Sequence, residues 1–142
     1  MENTSEPNIF IINSDLKNLS EIRDFIYNYT LSKIPDNDFA LRISLAVDEV
    51  CSNLTKYSYK LYSKNFIKIK IDIVGNKLQI DIMDNGEEFN IVDYKSPSLK
   101  EYYSNYMKSG LGITIIKLIV DEISYNSYEN YNSLTLIKYY TK

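Results

Sequence analysis

Apolar residues recur at three- and four-residue spacing in two segments of the first half of the chain, a pattern that predicts amphipathic helices. The first stripe predicts a helix from about residue 17 to residue 32 and contains Leu16, Leu19, Ile22, Ile26 and Tyr29. The second predicts the longest element, ending near residue 59, and contains Ile43, Val47, Val50, Cys51 and Leu54. Its start is indicated by Pro35 and by either Asp36 or Asp38, residues typical of a helix N-terminus.

Strict alternation of apolar and polar residues predicts strands elsewhere in the chain. A short strand, NIFIINS, precedes the first helix. The segments NFIKIKIDIV and KLQIDIMD are separated by Gly75 and Asn76, which suit the positive backbone angles of a tight hairpin turn. After a short apolar helix in GLGITIIKLIVDEI, the segments ISYNSY and SLTLIKYY predict a second hairpin that turns around Glu129 to Asn132.

Residues from about Gly86 to Ser109 have no convincing apolar period. A connection of this length in a compact domain is usually functional, so we interpret it as a lid. The whole pattern predicts about four helical stretches and about five strands. Hairpins with helices grouped between them indicate the α+β class, a two-layer α/β sandwich whose mixed, mostly antiparallel sheet is covered by helices on one face. The length fits a single domain, residues 1–142.

Composition narrows the classes of function. A net charge of −3 gives no reason to expect a polyanionic partner, so direct nucleic-acid binding is disfavoured. The single cysteine cannot form an internal disulfide, the N-terminus lacks the features of an export signal, and no apolar segment approaches the ~20 residues that span a bilayer. We therefore expect a cytoplasmic protein with no membrane partner. The absence of histidine leaves carboxylates as the candidate general bases.

The second predicted helix carries polar residues beside its apolar stripe. Glu49 and Asn53 lie four residues apart and therefore on one flank of the helix, with Lys56 and Tyr57 a further turn along. A carboxylate and an amide side by side can coordinate Mg²⁺ through oxygen, and a nearby ammonium group can orient a phosphate. The same spacing is also typical of the solvated surface of an amphipathic helix, and spacing alone does not separate the two interpretations.

Asp84 interrupts the apolar face of a predicted strand. Leu78, Ile80 and Ile82 alternate along this face, and the period of two carries Asp84 onto it. A buried carboxylate requires a hydrogen-bond donor, and the amino group of adenine is one such donor. Gly86 would let the backbone approach a flat ring closely, because it has no side chain. The alternative is that Asp-Asn-Gly is simply a turn.

Two glycines stand directly before the short apolar helix, in KSGLGITII. Gly110 and Gly112 followed by a helix would leave backbone N–H groups at a positive helix end, an arrangement that binds anionic phosphates. The alternative is a plain helix start that contains glycine. The segment is neither a P-loop, since no Gly-Lys-Ser/Thr follows the glycines, nor a dinucleotide fingerprint.

These motifs occur together and in order along one small domain. In DEVCSNLTKYSYK, DNGEEF and KSGLGITIIKLIVDEI the chain resembles the GHKL (Bergerat-fold) ATPases, and within them the anti-sigma factor serine kinases of the RsbW/SpoIIAB type. The resemblance covers nearly the whole chain, from the first predicted strand to the final hairpin. It implies ATP as the nucleotide and Mg²⁺ as the metal that bridges its phosphates.

The resemblance also implies roles for individual residues. Glu49 would activate the attacking hydroxyl as the base, and Asn53 would ligate the Mg²⁺. Asp84 would accept a hydrogen bond from the adenine amino group and Gly86 would pack on the ring, which gives a reason for the inward carboxylate. The remaining nucleotide-binding residues would be Gly110, Leu111 and Gly112 at the phosphates, the cationic helpers Lys56 and Lys108, and Ser133, whose hydroxyl would lie near adenine.

Three positions depart from the family's pattern. Glu88 stands where many members have a second glycine, Tyr57 where a histidine often follows the helix asparagine, and Lys108 where an arginine commonly precedes the glycine pair. Lysine forgoes the bidentate recognition of phosphate that arginine offers. We expect nucleotide binding to persist and catalysis to be slower.

The function implied by the resemblance is that of an ATP-dependent protein serine kinase acting as an anti-sigma factor. Such a protein would sequester a sigma factor, phosphorylate an anti-anti-sigma protein of the STAS type on serine, and form a homodimer. One alternative is a non-catalytic, nucleotide-gated protein-binding module of the same fold. Another is the ATP-binding half of a sensor histidine kinase, which could act only on another protein's histidine, because this chain has none. A gyrase-type ATPase is disfavoured because 142 residues leave no room for a transducer domain.

Overall fold

An open sheet of antiparallel strands, with helices packed on one face, forms the framework of the protein. The computed structural model describes residues 8–13, 18–57, 65–88, 90 and 110–141. In chain order the elements are β1 (Ile9–Asn13), α1 (Leu19–Lys33), α2 (Asn37–Tyr57), β2 (Phe66–Val74), β3 (Lys77–Asp84), α3 (Gly110–Ile119), β4 (Glu122–Ser127) and β5 (Asn132–Tyr139). The five strands lie in the order β1-β2-β3-β5-β4.

Two hairpins build most of the sheet. β2 and β3 are joined through Gly75, whose φ of 62° is the left-handed conformation that the predicted tight turn requires. β4 and β5 are joined by residues 128–131, where the N–H of Tyr128 donates to the carbonyl of Tyr131 at 2.7 Å. Because β5 pairs with both β3 and β4, the start of β5 lies beside the end of β3.

One face of the sheet forms the hydrophobic core with the helices. The strand residues that point to this face are fully buried and include Ile67, Ile69, Ile71, Leu78, Ile80 and Ile82. The helices contribute Ile22, Ile26, Ile43, Val47, Val50, Ile113 and Ile116. Alternate residues of β2 and β3, such as Lys70 and Asp81, are only partly buried and lie on the opposite face. The predicted α+β class, with helices covering one face of a largely antiparallel sheet, is confirmed.

The helices agree with the apolar periodicity, with differences at their ends. α1 begins at Leu19 rather than near residue 17, and the described residues contain three helices rather than about four. Within this part of the chain, none of these helices is long and apolar enough to cross a membrane. Most of the segment interpreted as a lid, including residues 91–109, lies outside the described residues.

The start of α2 is fixed by Asp36. The backbone N–H of Phe39 donates to Asp36 Oδ1 at 3.1 Å, and the carbonyl of Asp36 accepts the N–H of Ala40 at 3.0 Å. A side-chain oxygen that accepts from an N–H in the first turn satisfies a donor that has no partner within the helix. Of the two candidate caps, the structure therefore selects Asp36, while Asp38 lies exposed in the first turn.

Removal of this cap should destabilise the protein. We expect Asp36→Ala to lower the free energy of unfolding by about 1 kcal/mol, because the N–H of Phe39 loses its acceptor. Asp36→Asn should stay within about 0.5 kcal/mol of the wild type, since asparagine caps as well as aspartate. Urea unfolding followed by circular dichroism measures both changes. Equal losses in the two variants would show that the charge of Asp36, and not the cap, is the important feature.

Candidate functional site

Asp84 lies at the end of β3 with its carboxylate on the helix-covered face. Its side chain is 5% exposed, and it continues the buried row of Ile80 and Ile82. Oδ2 accepts the N–H of Gly86 at 2.9 Å and a side-chain N–H of Asn132 at 3.4 Å. The sequence left two interpretations of this segment, an inward carboxylate and a turn. The structure combines them, because the buried carboxylate itself organises the turn to Gly86.

Asn132 is a second buried polar residue beside Asp84, and none of the sequence motifs pointed to it. It is the first residue of β5, pairs directly with Asp84, and is 4% exposed. Its Nδ2 donates to Asp84 Oδ2 and to the carbonyl of Gly86 at 3.1 Å, and its Oδ1 accepts the hydroxyl of Ser127 at 2.7 Å. A signal was present in the sequence, since Asn132 interrupts the apolar row of Leu134 and Leu136 as Asp84 interrupts its own row.

Ser133, predicted to contact adenine through its hydroxyl, does not share the sheet face of Asp84. It pairs with Met83, one residue before Asp84, so its side chain lies on the opposite face of the sheet. In this register the Ser133 hydroxyl and the Asp84 carboxylate lie on opposite faces of the sheet, and the contact of Ser133 with adenine stays a prediction. Asn132 takes the neighbouring position on the face of Asp84, and it is the residue of β5 that contacts this carboxylate.

Glu49 and Asn53 lie on the part of α2 that approaches α3. Asn53 is 5% exposed, and its Nδ2 donates to the backbone carbonyl of Glu49 at 2.6 Å, which fixes the orientation of the amide. Asn53 is therefore not the solvated surface residue that the alternative interpretation required. Glu49 is partly buried. The side chains of Lys56 and Tyr57, one turn further on, lie outside the described part of the structure.

Gly112, on the first turn of α3, contacts Glu49. A Cβ atom built on Gly112 would meet Glu49 Oε2 and would lie 3.2 Å from Cδ of the same side chain. The predicted Gly-x-Gly helix start and the predicted base are thus neighbours. Gly110 is the first residue of α3. Lys108 and the side chain of Leu111 lie outside the described residues.

Cys51 is a buried residue of α2 whose thiol is influenced by the carboxylate at the end of β3. Burial raises the pKa of the Cys51 thiol, and the nearby carboxylates of Asp48 and Asp84 raise it further. The carboxylate at the end of β3 is therefore near enough to α2 to act electrostatically on a side chain of this helix. Gly112 lies against Glu49, and the neighbouring residues Val50 and Ile113 share one core cluster with Ile82 of β3. The segments that carry Glu49, Asp84 and Gly112 therefore meet in one core.

A polar cavity of about 260 Å³ opens beside Gly86. Its lining includes the carboxylates of Glu87, Glu88 and Glu129 and, among the described residues, no lysine or arginine. Such a lining repels phosphate groups. A nucleotide whose base contacts Asp84 would therefore direct its phosphates toward α2 and α3 rather than into this cavity.

A metal bound in this region would have few protein ligands. In the described part of the chain, no three histidine, cysteine, aspartate or glutamate side chains cluster to form a metal site. The amide oxygen of buried Asn53 is one hard oxygen donor. This donor set fits Mg²⁺, which is usually bound through one or two protein oxygens together with substrate phosphates and water.

Comparison with known proteins agrees with this geometry. Residues 12–138 match the family model of the histidine kinase-like ATPase domain. The serine-protein kinase RsbW of Bacillus subtilis is 24% identical over 113 residues, and that of Staphylococcus epidermidis is 31% identical over 104 residues. These matches cover 76% and 69% of this chain, and 64% of each relative's own length.

Solved structures show the same fold. A Mycobacterium tuberculosis structure with RsbU and RsbW domains has a TM-score of 0.64 at 14% identity, covering 92% of this chain and 32% of that one. The catalytic domain of histidine kinase ThkA has a TM-score of 0.52 at 14% identity, covering 92% of this chain and 97% of that one. The resemblance to GHKL ATPases of the RsbW type, inferred from the sequence motifs, is confirmed.

The opposite orientations of Asn132 and Ser133 can be tested by mutation. We expect Asn132→Ala to lower the free energy of unfolding by about 1–3 kcal/mol, because Asp84 and the Gly86 carbonyl each lose a buried donor. Ser133→Ala should change it by less than about 0.5 kcal/mol, as is usual for substitutions away from buried networks. Urea unfolding of both variants provides the comparison. A larger loss for Ser133→Ala would mean that the register of β5 is wrong.

Proposed function

The chain belongs to the histidine kinase-like ATPase family, and on this premise we propose that it binds ATP with Mg²⁺ and transfers the γ-phosphoryl group to a serine of a partner protein. The observation that carries this proposal is the buried carboxylate of Asp84, held beside Gly86 on the sheet face that α2 and α3 cover. Glu49 and Asn53 belong to α2, and Gly112 belongs to α3. This arrangement supplies a polar anchor for the adenine ring and, next to it, groups that can bind phosphate and metal.

Asp84 is the proposed adenine anchor. Its carboxylate would accept a hydrogen bond from the exocyclic amino group, and a charged acceptor makes a stronger hydrogen bond than a neutral one. Two protein donors, the N–H of Gly86 and the amide of Asn132, already hold Oδ2 in place. The carboxylate is thereby oriented before the nucleotide binds, so less ordering is required on binding.

The phosphates would lie at the start of α3. Backbone N–H groups of Gly110, Leu111 and Gly112 belong to the first turn of this helix, where the helix dipole favours an anion. Asn53 would hold the Mg²⁺ through its amide oxygen, and Lys56 and Lys108 would add positive charge. When bound, the metal supplies charge neutralisation at the phosphate oxygens.

Glu49 is the proposed general base. As the serine oxygen attacks the γ-phosphorus, the hydroxyl proton passes to the carboxylate of Glu49, and the bond to the bridging oxygen breaks to release ADP. Phosphoryl transfer depends mainly on positioning and charge stabilisation, so one carboxylate near the attacking hydroxyl is sufficient as proton acceptor.

The proposed partners follow from the resemblance to RsbW-type kinases. The phosphorylated protein would be an anti-anti-sigma protein of the STAS type, the sequestered protein a sigma factor, and the active species a homodimer that does not itself contact nucleic acid. Both relatives described above carry the name serine-protein kinase, and each match covers 64% of the relative. This supports a phosphotransfer role for the domain that is shared.

A non-catalytic, nucleotide-gated binding module is the second candidate. It is favoured by the departures at Glu88, Tyr57 and Lys108, of which Glu88 adds a negative charge to the acidic cavity beside Gly86. Both candidates require ATP binding. They differ in whether the rate of phosphotransfer depends on Glu49.

Phosphotransfer should require the carboxylate of Glu49. With radiolabelled ATP, Mg²⁺ and candidate anti-anti-sigma proteins, we expect acid-stable label on serine, and Glu49→Gln should reduce the rate by about 10²–10⁴-fold. Glutamine preserves the shape of the side chain against Gly112, so ATP binding should be retained. ATP binding without Glu49-dependent label would favour the non-catalytic binding module. Acid-labile label on a partner would instead indicate histidine phosphorylation.

ATP affinity should depend on Asp84. By calorimetry with Mg²⁺, we expect Asp84→Asn to weaken ATP binding by roughly 10–100-fold, since a hydrogen bond to a charged group contributes about 1.5–3 kcal/mol. Asp81→Asn is the matched control, because this carboxylate lies on the same strand but on the other face, where it accepts the hydroxyl of Thr135. Unchanged affinity in a folded Asp84→Asn protein would remove the adenine assignment.

A further inference from the structure

Gly112 does not require glycine for its backbone conformation. Among the described glycines, only Gly75 has a positive φ. Gly112 lies within α3, and any L-residue except proline can adopt the helical backbone angles at such a position. Glycine is less favourable than alanine inside a helix, so its presence here calls for another reason.

That reason is the space occupied by Glu49. A Cβ atom at position 112 would meet Glu49 Oε2, and it would lie 3.2 Å from Cδ and 3.8 Å from Cγ of the same side chain. Real Cβ atoms do not approach a heavy atom as closely as this Oε2 would require. The side chain of Glu49 would therefore have to change its rotamer if residue 112 carried a methyl group.

The two helices cannot separate easily to make room. Ile113, the residue after Gly112, is fully buried in the core, and so is Ile116 one turn later. On the other helix, Val50 follows Glu49 and is 1% exposed. Because closely packed interiors resist movement, a methyl group at position 112 is accommodated by displacement of the Glu49 carboxylate rather than by a shift of α3.

We propose that Gly112 is a positioning residue for the general base: the absence of a side chain at 112 allows the Glu49 carboxylate to lie against the first turn of α3, beside the groups that bind the phosphates. This inference rests on the proposed function. It is separate from phosphate binding by the backbone N–H of Gly112, which alanine retains, and it assigns the effect of a substitution to the rate of transfer rather than to nucleotide affinity.

Kinetics separate the two roles. In the full chain with Mg²⁺ and saturating ATP, Gly112→Ala should lower kcat by about 10–100-fold, since a displacement of about 1 Å can cost 10²-fold. The Kd for ATP should stay within about threefold, and Gly112→Ala should not reduce the residual rate of Glu49→Gln further. A tenfold or larger loss of ATP affinity with unchanged kcat would overturn the inference in favour of phosphate binding.

A stability cycle tests the contact without any reaction. We expect Gly112→Ala to raise the Tm by ~2 °C in a Glu49→Ala background, where the collision is gone and alanine favours the helix. When Glu49 is present, Gly112→Ala should not raise the Tm. The same change of Tm in both backgrounds would overturn the contact. If the wild type transfers no phosphate, the proposed function fails, and this cycle still decides whether Gly112 positions Glu49.

Discussion

The buried carboxylate of Asp84 is the constraint on which the site depends. A carboxylate removed from water is strongly unfavourable unless donors replace the lost hydration. The N–H of Gly86 and the amide of Asn132 provide this replacement. These bonds set the turn after β3 and join β3 to the start of β5. A shift of β5 by one residue along β3 would place Ser133 opposite Asp84. Serine cannot supply the same two donors.

The sheet order brings distant parts of the chain to this carboxylate. β5 lies between β3 and β4, so the second hairpin returns to the end of β3. α2 and α3 cover the same face of the sheet, and both helices are anchored in the core by their buried residues. Glu49 of α2 and Gly112 of α3 lie against each other between them. The segments that carry Asp84, Glu49 and Gly112 therefore meet in one core, although they are far apart in the sequence.

Much of this fold was predictable from the sequence. The alternation in β2 and β3, the turn at Gly75 and the inward direction of Asp84 follow from local periodicity, which is the strongest signal in a single sequence. α1 and α2 were located within a few residues for the same reason. The choice of Asp36 over Asp38 as the cap needed coordinates, because both residues have the correct chemistry for a helix start.

The parts that the sequence did not predict depend on packing between elements. Asn53 has the spacing of a surface residue and is buried, and Gly112 matched a phosphate-binding motif without any indication that it contacts Glu49. The alternation with Leu134 and Leu136 placed Asn132 on the core face, but its pairing with Asp84 depends on the register of β5 on β3, two strands that no short turn connects. Such registers are specified by long-range contacts, which a local pattern does not contain.

The most direct test is the position of a bound nucleotide, determined by crystallography with Mg²⁺ and a non-hydrolysable ATP analogue. We expect the adenine amino group within hydrogen-bonding distance of the Asp84 carboxylate, the metal at the amide oxygen of Asn53, and the phosphates at the first turn of α3. A nucleotide bound elsewhere, or one whose base does not contact Asp84, would contradict the assignment of this region as the ATP site.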